Sequence, residues 1–267
     1  MLLNPSILDI NYSLAEKKIV NFIKEYVEKH NFNGVVLGLS GGIDSCTVAA
    51  LASQALGKEK VLGLILPEEE TFSKIDINDA RIIAKKFNIE MKYYDISKVL
   101  RRFYNNLSLF DQKDRILKAN IKARTRMIYL YYFANKFNRL VCGTSDKSET
   151  MIGYFTKWGD GASDIAPIMD LFKSQVQKLA INLGIPKKIA LKPPSPNLWL
   201  NQTAETEIGI KYEILDLILF GLEKNFTIEK IAEELKIKKI LIKRIKQKIH
   251  LSNHKRRLPL TIKINCD

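Results

Sequence analysis

Apolar positions along the chain fall into two alternating textures. Leu14, Ile19, Phe22, Ile23, Tyr26 and Val27 recur at helical spacing and predict a helix over residues 13–30, with Ser13 and Glu16 placed as a capping box. Asn33-Gly34 ends it, and the short apolar run 35–39 reads as a buried strand. A helix over 46–56 follows, then a strand over 61–66 stopped by Pro67. Residues 75–87 are helical in pattern, 91–96 read as a strand and 116–137 as a long helix. The run 140–142 reads as a strand ending in Gly143-Thr144.

Strands alternating with helices imply an α/β fold, a parallel sheet flanked by helices on both faces. Such sheets bind ligands beyond the carboxyl ends of their strands, where the winding reverses. Two loops, 40–45 and 144–149, follow strand ends. Beyond Pro167 comes a proline-bearing loop, "LKPPSPNLWLNQTAE", and then "TIEKIAEELKIKKILIKRIKQKIH", which reads as two short helices with a turn. With no internal repeat or low-complexity linker, a single domain over residues 1–267 is expected, with a helical C-terminal extension near 200–250.

Composition narrows the class. The 267 residues are 46% hydrophobic and 27% charged, which suits a globular protein rather than a disordered one. No apolar run approaches the roughly 18–20 residues of a membrane span. The start, "MLLNPSILDINYSLAEKK", lacks the layout of a secretory signal, so a cytoplasmic protein is expected. Cys46, Cys142 and Cys266 lie far apart, as do His30, His250 and His254, with no spacing for zinc or a redox pair. Tyr12 reads as a helix-entry side chain and Cys142 as a buried strand thiol. Net charge is +14, and residues 221–257 hold 12 Lys/Arg against 4 Asp/Glu. Solvated helix faces account for that excess; binding of nucleic acid is the alternative.

The chemistry gathers at "GVVLGLSGGIDSCTVAALASQALG", residues 34–57. A glycine-rich turn from strand to helix can wrap backbone N–H groups around an anion, aided by the helix N-terminus. Gly41 and Gly42 allow close approach, and Ser40 and Ser45 offer hydroxyls to phosphate oxygens. Asp44 repels phosphate unless a cation such as Mg²⁺ lies between them. No Gly-Lys-Ser/Thr follows, and the three-glycine dinucleotide fingerprint is absent. A plain turn with a helix cap remains open on these six residues alone.

Ser-Gly-Gly-Ile-Asp-Ser after a strand resembles the pyrophosphate-binding loop of the N-type ATP pyrophosphatases. Three further stretches, "NIKARTRMIYLYYFAN", "VCGTSDKSETMIGYFTKWGDGASDIAPIMDLFKSQV" and "NHKRRLPL", together resemble the ammonia-dependent NAD⁺ synthetases of that superfamily. The likeness runs through most of the chain, in the same order. It implies an adenine nucleotide alpha hydrolase-like fold and a C–N ligase. That ligase adenylates the nicotinate carboxylate of deamido-NAD⁺ with ATP and then displaces AMP with ammonia.

The resemblance also implies roles. Gly38, Leu39, Ser40, Gly41, Gly42, Ile43, Asp44, Ser45, Thr144, Lys173 and Ser195 match ATP contacts. Asp44 and Glu149 match ligands of Mg²⁺. Arg124, Lys157, Asp164, His254 and Lys255 match contacts to deamido-NAD⁺. Asp44, Lys173 and Asp164 are the catalytic candidates, Asp164 by orienting or deprotonating ammonium. Arg126, beside Arg124, reads as an ordinary solvated helix charge. Ser195 stands where the family usually has threonine, and Ala204 where it often has an acidic residue. A homodimer is implied. With about 34 residues before the first strand there is no room for a glutaminase domain, so free ammonia is the expected donor. The rival readings are a tRNA-modifying enzyme with the same loop, though no added cysteine pair is present, and a non-enzymatic DNA-binding module built on the basic helices.

Overall fold

The computed structural model describes residues 2–262 and 264. Cys266 lies outside the described residues. The elements run α1 (Tyr12–Lys29), β1 (Val35–Gly38), α2 (Ile43–Leu56), β2 (Val61–Ile65), α3 (Lys74–Lys86), β3 (Glu90–Tyr93), α4 (Ser97–Asn105), α5 (Arg115–Phe137) and β4 (Leu140–Val141). Then come α6 (Lys147–Ile152), α7 (Lys173–Asn182), α8 (Lys187–Ala190), α9 (Ala204–Ile208), α10 (Tyr212–Glu223), α11 (Ile228–Leu235) and α12 (Lys239–Leu251).

The four strands form a parallel sheet in the order β3-β2-β1-β4. The chain winds outward from β1 to β3, then crosses back to lay β4 on the other side of β1. The reversal therefore lies between β1 and β4, where a crevice opens beyond the strand ends.

Alternation within the strands decides which helices cover which face. Val35 and Leu37 of β1 point into a core shared with α1, α2, α3 and α7, while Val36 points into a second core with α4 and α5. Both faces are covered, as the continuous apolar runs require. A third core joins α9–α12 to Leu3, Leu8, Ile152 and Phe172. In it Ile242 and Ile245 bury one face of α12, leaving Lys239, Lys243 and Lys246 in solvent. The C-terminal pair is thus a helical hairpin with an apolar inner face.

Several boundaries differ from expectation. Asn11, not Ser13, caps α1: its Oδ1 accepts the Leu14 N–H at 2.9 Å. Glu16 instead accepts a bond from Asn182. The helix expected from Cys46 begins at Ile43, because Ile43, Asp44 and Ser45 form its first turn. β3 ends at Tyr93; Tyr94 and Ile96 still donate to the carbonyls of Ile65 and Pro67.

Candidate active site

Ten of the fourteen α2 residues are buried, Cys46, Thr47 and Val48 completely, so the turn before it is fixed from behind. Gly42 is the N-cap and has no side chain to occupy the first-turn amides, which leaves them for an anion. Ser45 Oγ donates to the Gly42 carbonyl at 2.9 Å and receives the Ser40 N–H at 3.2 Å. Gly41 has φ +82°, and a Cβ there would lie 2.1 Å from the Asp76 carbonyl oxygen. Lys192 pins the same turn to α3. Its Nζ meets the Gly41 carbonyl at 3.2 Å, Asp76 at 2.8 Å and Asp79 at 2.5 Å.

The loop after β4 meets this turn through Lys173. This lysine is fully buried at the start of α7, and its ammonium lies 2.7 Å from Asp44, 2.8 Å from Asp146 and 2.9 Å from Glu149. Three carboxylates face one cation, so negative charge is in excess. Two like charges about 4 Å apart at an effective dielectric of about 20 repel by about 4 kcal/mol. Burial, the largest influence, drives the Asp146 pKa well above the ordinary carboxylate range, with Glu149 and Asp44 adding to the rise and Lys173 opposing it. Glu149 is raised for the same first reason. For Lys173, burial works downward, but attraction to Asp146, Asp44 and Glu149 outweighs it and holds the pKa well above the usual lysine value.

The trio fits a hard divalent cation. Asp44, Asp146 and Glu149 can each place one oxygen within 4.8 Å of the others, and Asp44 Oδ1 is buried without a hydrogen-bond partner among the described residues. Asp146 was not foreseen. It is the N-cap of α6, its Oδ1 accepting the Glu149 N–H at 2.8 Å, and the spacing Asp-x-x-Glu after a strand end was its sequence signal. Behind the trio, the buried Asp216 of α10 accepts from Ser148 Oγ at 2.5 Å and from the Ser174 N–H at 2.9 Å, which fixes the first turn of α7. The Tyr212 ring lies 5.2 Å from Lys173 Nζ. Neither residue carried a motif.

A cavity of about 370 Å³ opens in front of these groups. Gly38, Ser40, Gly42, Ile43, Asp44, Ser45, Thr144 and Ser195, matched above to ATP contacts, line it together with Glu149, matched to a metal ligand. Leu39 is wholly in the core, and Lys173 and Gly41 stand behind the wall. Ser195 Oγ donates to the Gln202 carbonyl at 2.6 Å and accepts the Asn197 N–H at 3.1 Å, shaping the 193–202 segment. That segment is strapped down by Lys122 of α5, whose buried Nζ bonds Glu68 at 2.5 Å, Glu70 at 2.8 Å and the Leu198 carbonyl at 2.8 Å. Removing one partner of such a buried pair costs about 3–5 kcal/mol.

None of the five residues matched to deamido-NAD⁺ is among those lining the cavity. Arg124 donates from Nε and Nη2 to the Lys157 carbonyl at 3.3 and 3.2 Å. Lys157 Nζ donates to the His254 carbonyl at 2.7 Å, and Lys255 Nζ to the Gly153 and Phe155 carbonyls at 2.9 and 2.8 Å. Asp164 does not join the carboxylate trio. Its Oδ2 accepts the Val141 N–H at 2.7 Å and its Oδ1 the Tyr131 hydroxyl at 3.2 Å, so it ties the 154–164 loop to β4. Arg126 departs from the solvated position expected for it: it lines the cavity. Cys142 is a buried thiol whose pKa burial raises, as expected. Tyr12 does open α1, and its hydroxyl is buried.

The chain resembles known proteins along nearly its whole length. The NAD synthase family profile matches residues 15–259. The NH(3)-dependent NAD(+) synthetase of Pyrococcus horikoshii is 48% identical over 244 residues, covering 91% of this chain and 93% of the relative. That of Methanocaldococcus jannaschii is 50% identical over 248 residues, covering 92% and 95%. Among solved structures, the NH3-dependent NAD synthetase from Campylobacter jejuni superposes with a TM-score of 0.81 at 32% identity, over 95% of this chain and all of the other. An NMN synthetase from Francisella tularensis superposes with a TM-score of 0.85 at 35% identity, over 96% and 100%. With a glycine turn, a carboxylate trio and a cavity assembled where the sheet reverses its winding, and with likeness along nearly its whole length, the chain belongs to the NAD synthase family.

Proposed function

We propose that this chain converts deamido-NAD⁺ to NAD⁺ with ATP and ammonia. The observation that carries the reading is the convergence of the 40–45 and 144–149 loops on one cavity through Lys173. In the first step a nicotinate oxygen attacks the α-phosphorus of ATP, the bond to the β-phosphate bridge oxygen breaks, and pyrophosphate leaves. In the second, the ammonia lone pair attacks the activated carbonyl carbon, the bond to the adenylate oxygen breaks, and a proton is lost as the amide forms. A carboxylate and ammonia otherwise only exchange a proton at neutral pH, so adenylation supplies the leaving group and the site supplies positioning and charge.

Residues of this chain divide the work. The Ser40–Ser45 turn holds the departing pyrophosphate on backbone amides and hydroxyls. Thr144 and Ser195 contact ATP from the opposite walls. Lys173 stabilises charge on the transferred phosphate and holds the trio together. Asp44, Asp146 and Glu149 would hold Mg²⁺, which when bound neutralises polyphosphate charge. Arg124, Lys157, Asp164, His254 and Lys255 form the acceptor side, with Asp164 positioning its loop.

The acceptor side points to a second copy of the chain. Leu117, Ile128 and Tyr132 are exposed on one stripe of α5, and Arg124 lies on the same stripe. A homodimer through α5 buries that apolar stripe and encloses Arg124. The C-terminal helices belong to the same working unit, because Asp216 and Tyr212 support Lys173. No described helix is long and apolar enough to cross a membrane.

The test is an end-point mass-spectrometric assay with ATP, Mg²⁺, ammonium and deamido-NAD⁺, each omitted in turn. NAD⁺, AMP and pyrophosphate are expected together and only in the full mixture. A parallel tube with nicotinate mononucleotide separates this reading from an NMN-forming one. Untouched ATP in every tube overturns the reading; ATP consumption with tRNA alone redirects it to RNA modification.

A further inference from the structure

The cations around the cavity are not equivalent. Lys173 is held by three carboxylates, Lys192 by Asp76 and Asp79, and Lys122 by Glu68 and Glu70. Arg126 has no ion-pair partner among the described residues. Yet it lies in the cavity wall, on the same α5 face as Ala123, Met127 and Leu130, which sit one turn apart from it or beside it along the helix. Its surroundings are dry enough that burial, the largest influence, lowers even this guanidinium's pKa.

The nearest acidic groups are already engaged. Glu68 accepts from Lys122 and from Thr71 Oγ1, and Asp160 accepts the Thr156 N–H. One bond fixes the guanidinium: Nε donates to the Leu66 carbonyl at 3.0 Å, at the carboxyl end of β2. That leaves the Nη groups without a protein acceptor among the described residues. Glu68 and Asp160 attract the guanidinium without forming an ion pair with it, and a fork with free Nη donors matches a planar or tetrahedral oxyanion.

We propose that Arg126 binds an oxyanion of the reactants, either a phosphate of ATP or the nicotinate carboxylate of deamido-NAD⁺. The proposal rests on the amidation reading above. It gives the cavity a cation that is in no ion pair among the described residues, in addition to the charge that Lys173 supplies beside the trio. The Leu66 carbonyl acts as the brace, since it fixes the plane of the fork before any ligand arrives.

The experiment is isothermal titration of the full-length protein with ATP–Mg²⁺ alone, with deamido-NAD⁺ alone and with NAD⁺ alone. It compares wild type with Arg126→Met and Arg126→Gln, and records thermal midpoints for each. Gln keeps a donor for the Leu66 carbonyl and removes the charge, so it decides the matter if Met does not fold. Affinity for at least one ligand is expected to fall by about tenfold or more. A loss confined to ATP assigns the phosphate. A loss for deamido-NAD⁺ but not for NAD⁺, which lacks the carboxylate, assigns the nicotinate. A folded charge-free variant that binds both ATP and deamido-NAD⁺ within twofold of wild type overturns the role of Arg126. Wild type that binds neither ligand overturns the amidation reading, and this proposal with it.

Discussion

At the scale of single residues, the site is an argument about charge. Lys173 is surrounded by carboxylates that would repel one another without it, so its removal is a loss of both catalysis and order. Lys173→Met is expected to lower the rate of ATP-dependent NAD⁺ formation by about 10²–10³ or more, as for other lost transition-state charges. ATP–pyrophosphate exchange would fall with it, because both report the first step. Asp160 gives a pH prediction. Burial, the largest influence, raises its pKa, with backbone hydrogen bonds and Lys255 opposing. The native state therefore holds this proton to higher pH than the unfolded chain, and stability is lost as pH rises from the unfolded to the folded pKa. Asp160→Asn removes that loss. Its melting temperature relative to wild type is expected to be more favourable at pH 7.5 than at pH 4. A difference independent of pH would mean that the buried carboxyl carries no such burden.

At the scale of elements, the glycine turn shows how much was legible in sequence. β1, the turn and α2 were readable because an apolar run, two glycines and a second apolar pattern sit in direct succession. The start of α2 was placed late because Ile43, Asp44 and Ser45 look like loop residues until the helix is seen to use their backbone. Glu149 stands in a motif; Asp146, three residues earlier at the N-cap of α6, does not. Asp216, Tyr212, Lys122 and Lys192 were not legible, because each acts across long sequence separations and ordinary helix patterns conceal them. Arg126 was misread because burial on α5 depends on the loops packed over it. The turn itself makes a sharp prediction. Gly41→Ala would place a Cβ 2.1 Å from backbone of α3 at a φ of +82°, so the turn must move. ATP affinity in that variant is expected to fall by about tenfold or more, with the circular dichroism of the helices retained. Wild-type affinity would show that the turn is not the phosphate cradle.

At the scale of the whole molecule, three cores meet around one crevice. The sheet cores hold the turn and α5, and the C-terminal core holds α10 against α7. The basic helices need no nucleic-acid partner to explain them, since Ile242 and Ile245 give α12 an inward face and Lys239, Lys243 and Lys246 face solvent. The exposed stripe on α5 is the face through which the proposed homodimer would form. Ile128 is 61% exposed and Tyr132 58%, on a helix otherwise packed against the sheet. Light scattering coupled to size exclusion is expected to give a dimer for wild type and a monomer for Ile128→Glu, with the acceptor's KM rising more than that of ATP. A wild-type monomer at micromolar concentration would remove the dimer from the account.

Lys122 has a consequence that reaches beyond anchoring. The two walls of the crevice are made differently: one is welded to α2 and the sheet, and the other, residues 193–202, hangs from a few polar rivets at Lys122, Asn197 and Lys192. A welded wall preserves geometry through repeated turnover, and a riveted one can be refitted. Substitutions among these tethered positions would therefore reshape the side of the crevice that carries Ser195, while the backbone of the Ser40–Ser45 turn stays braced by α2.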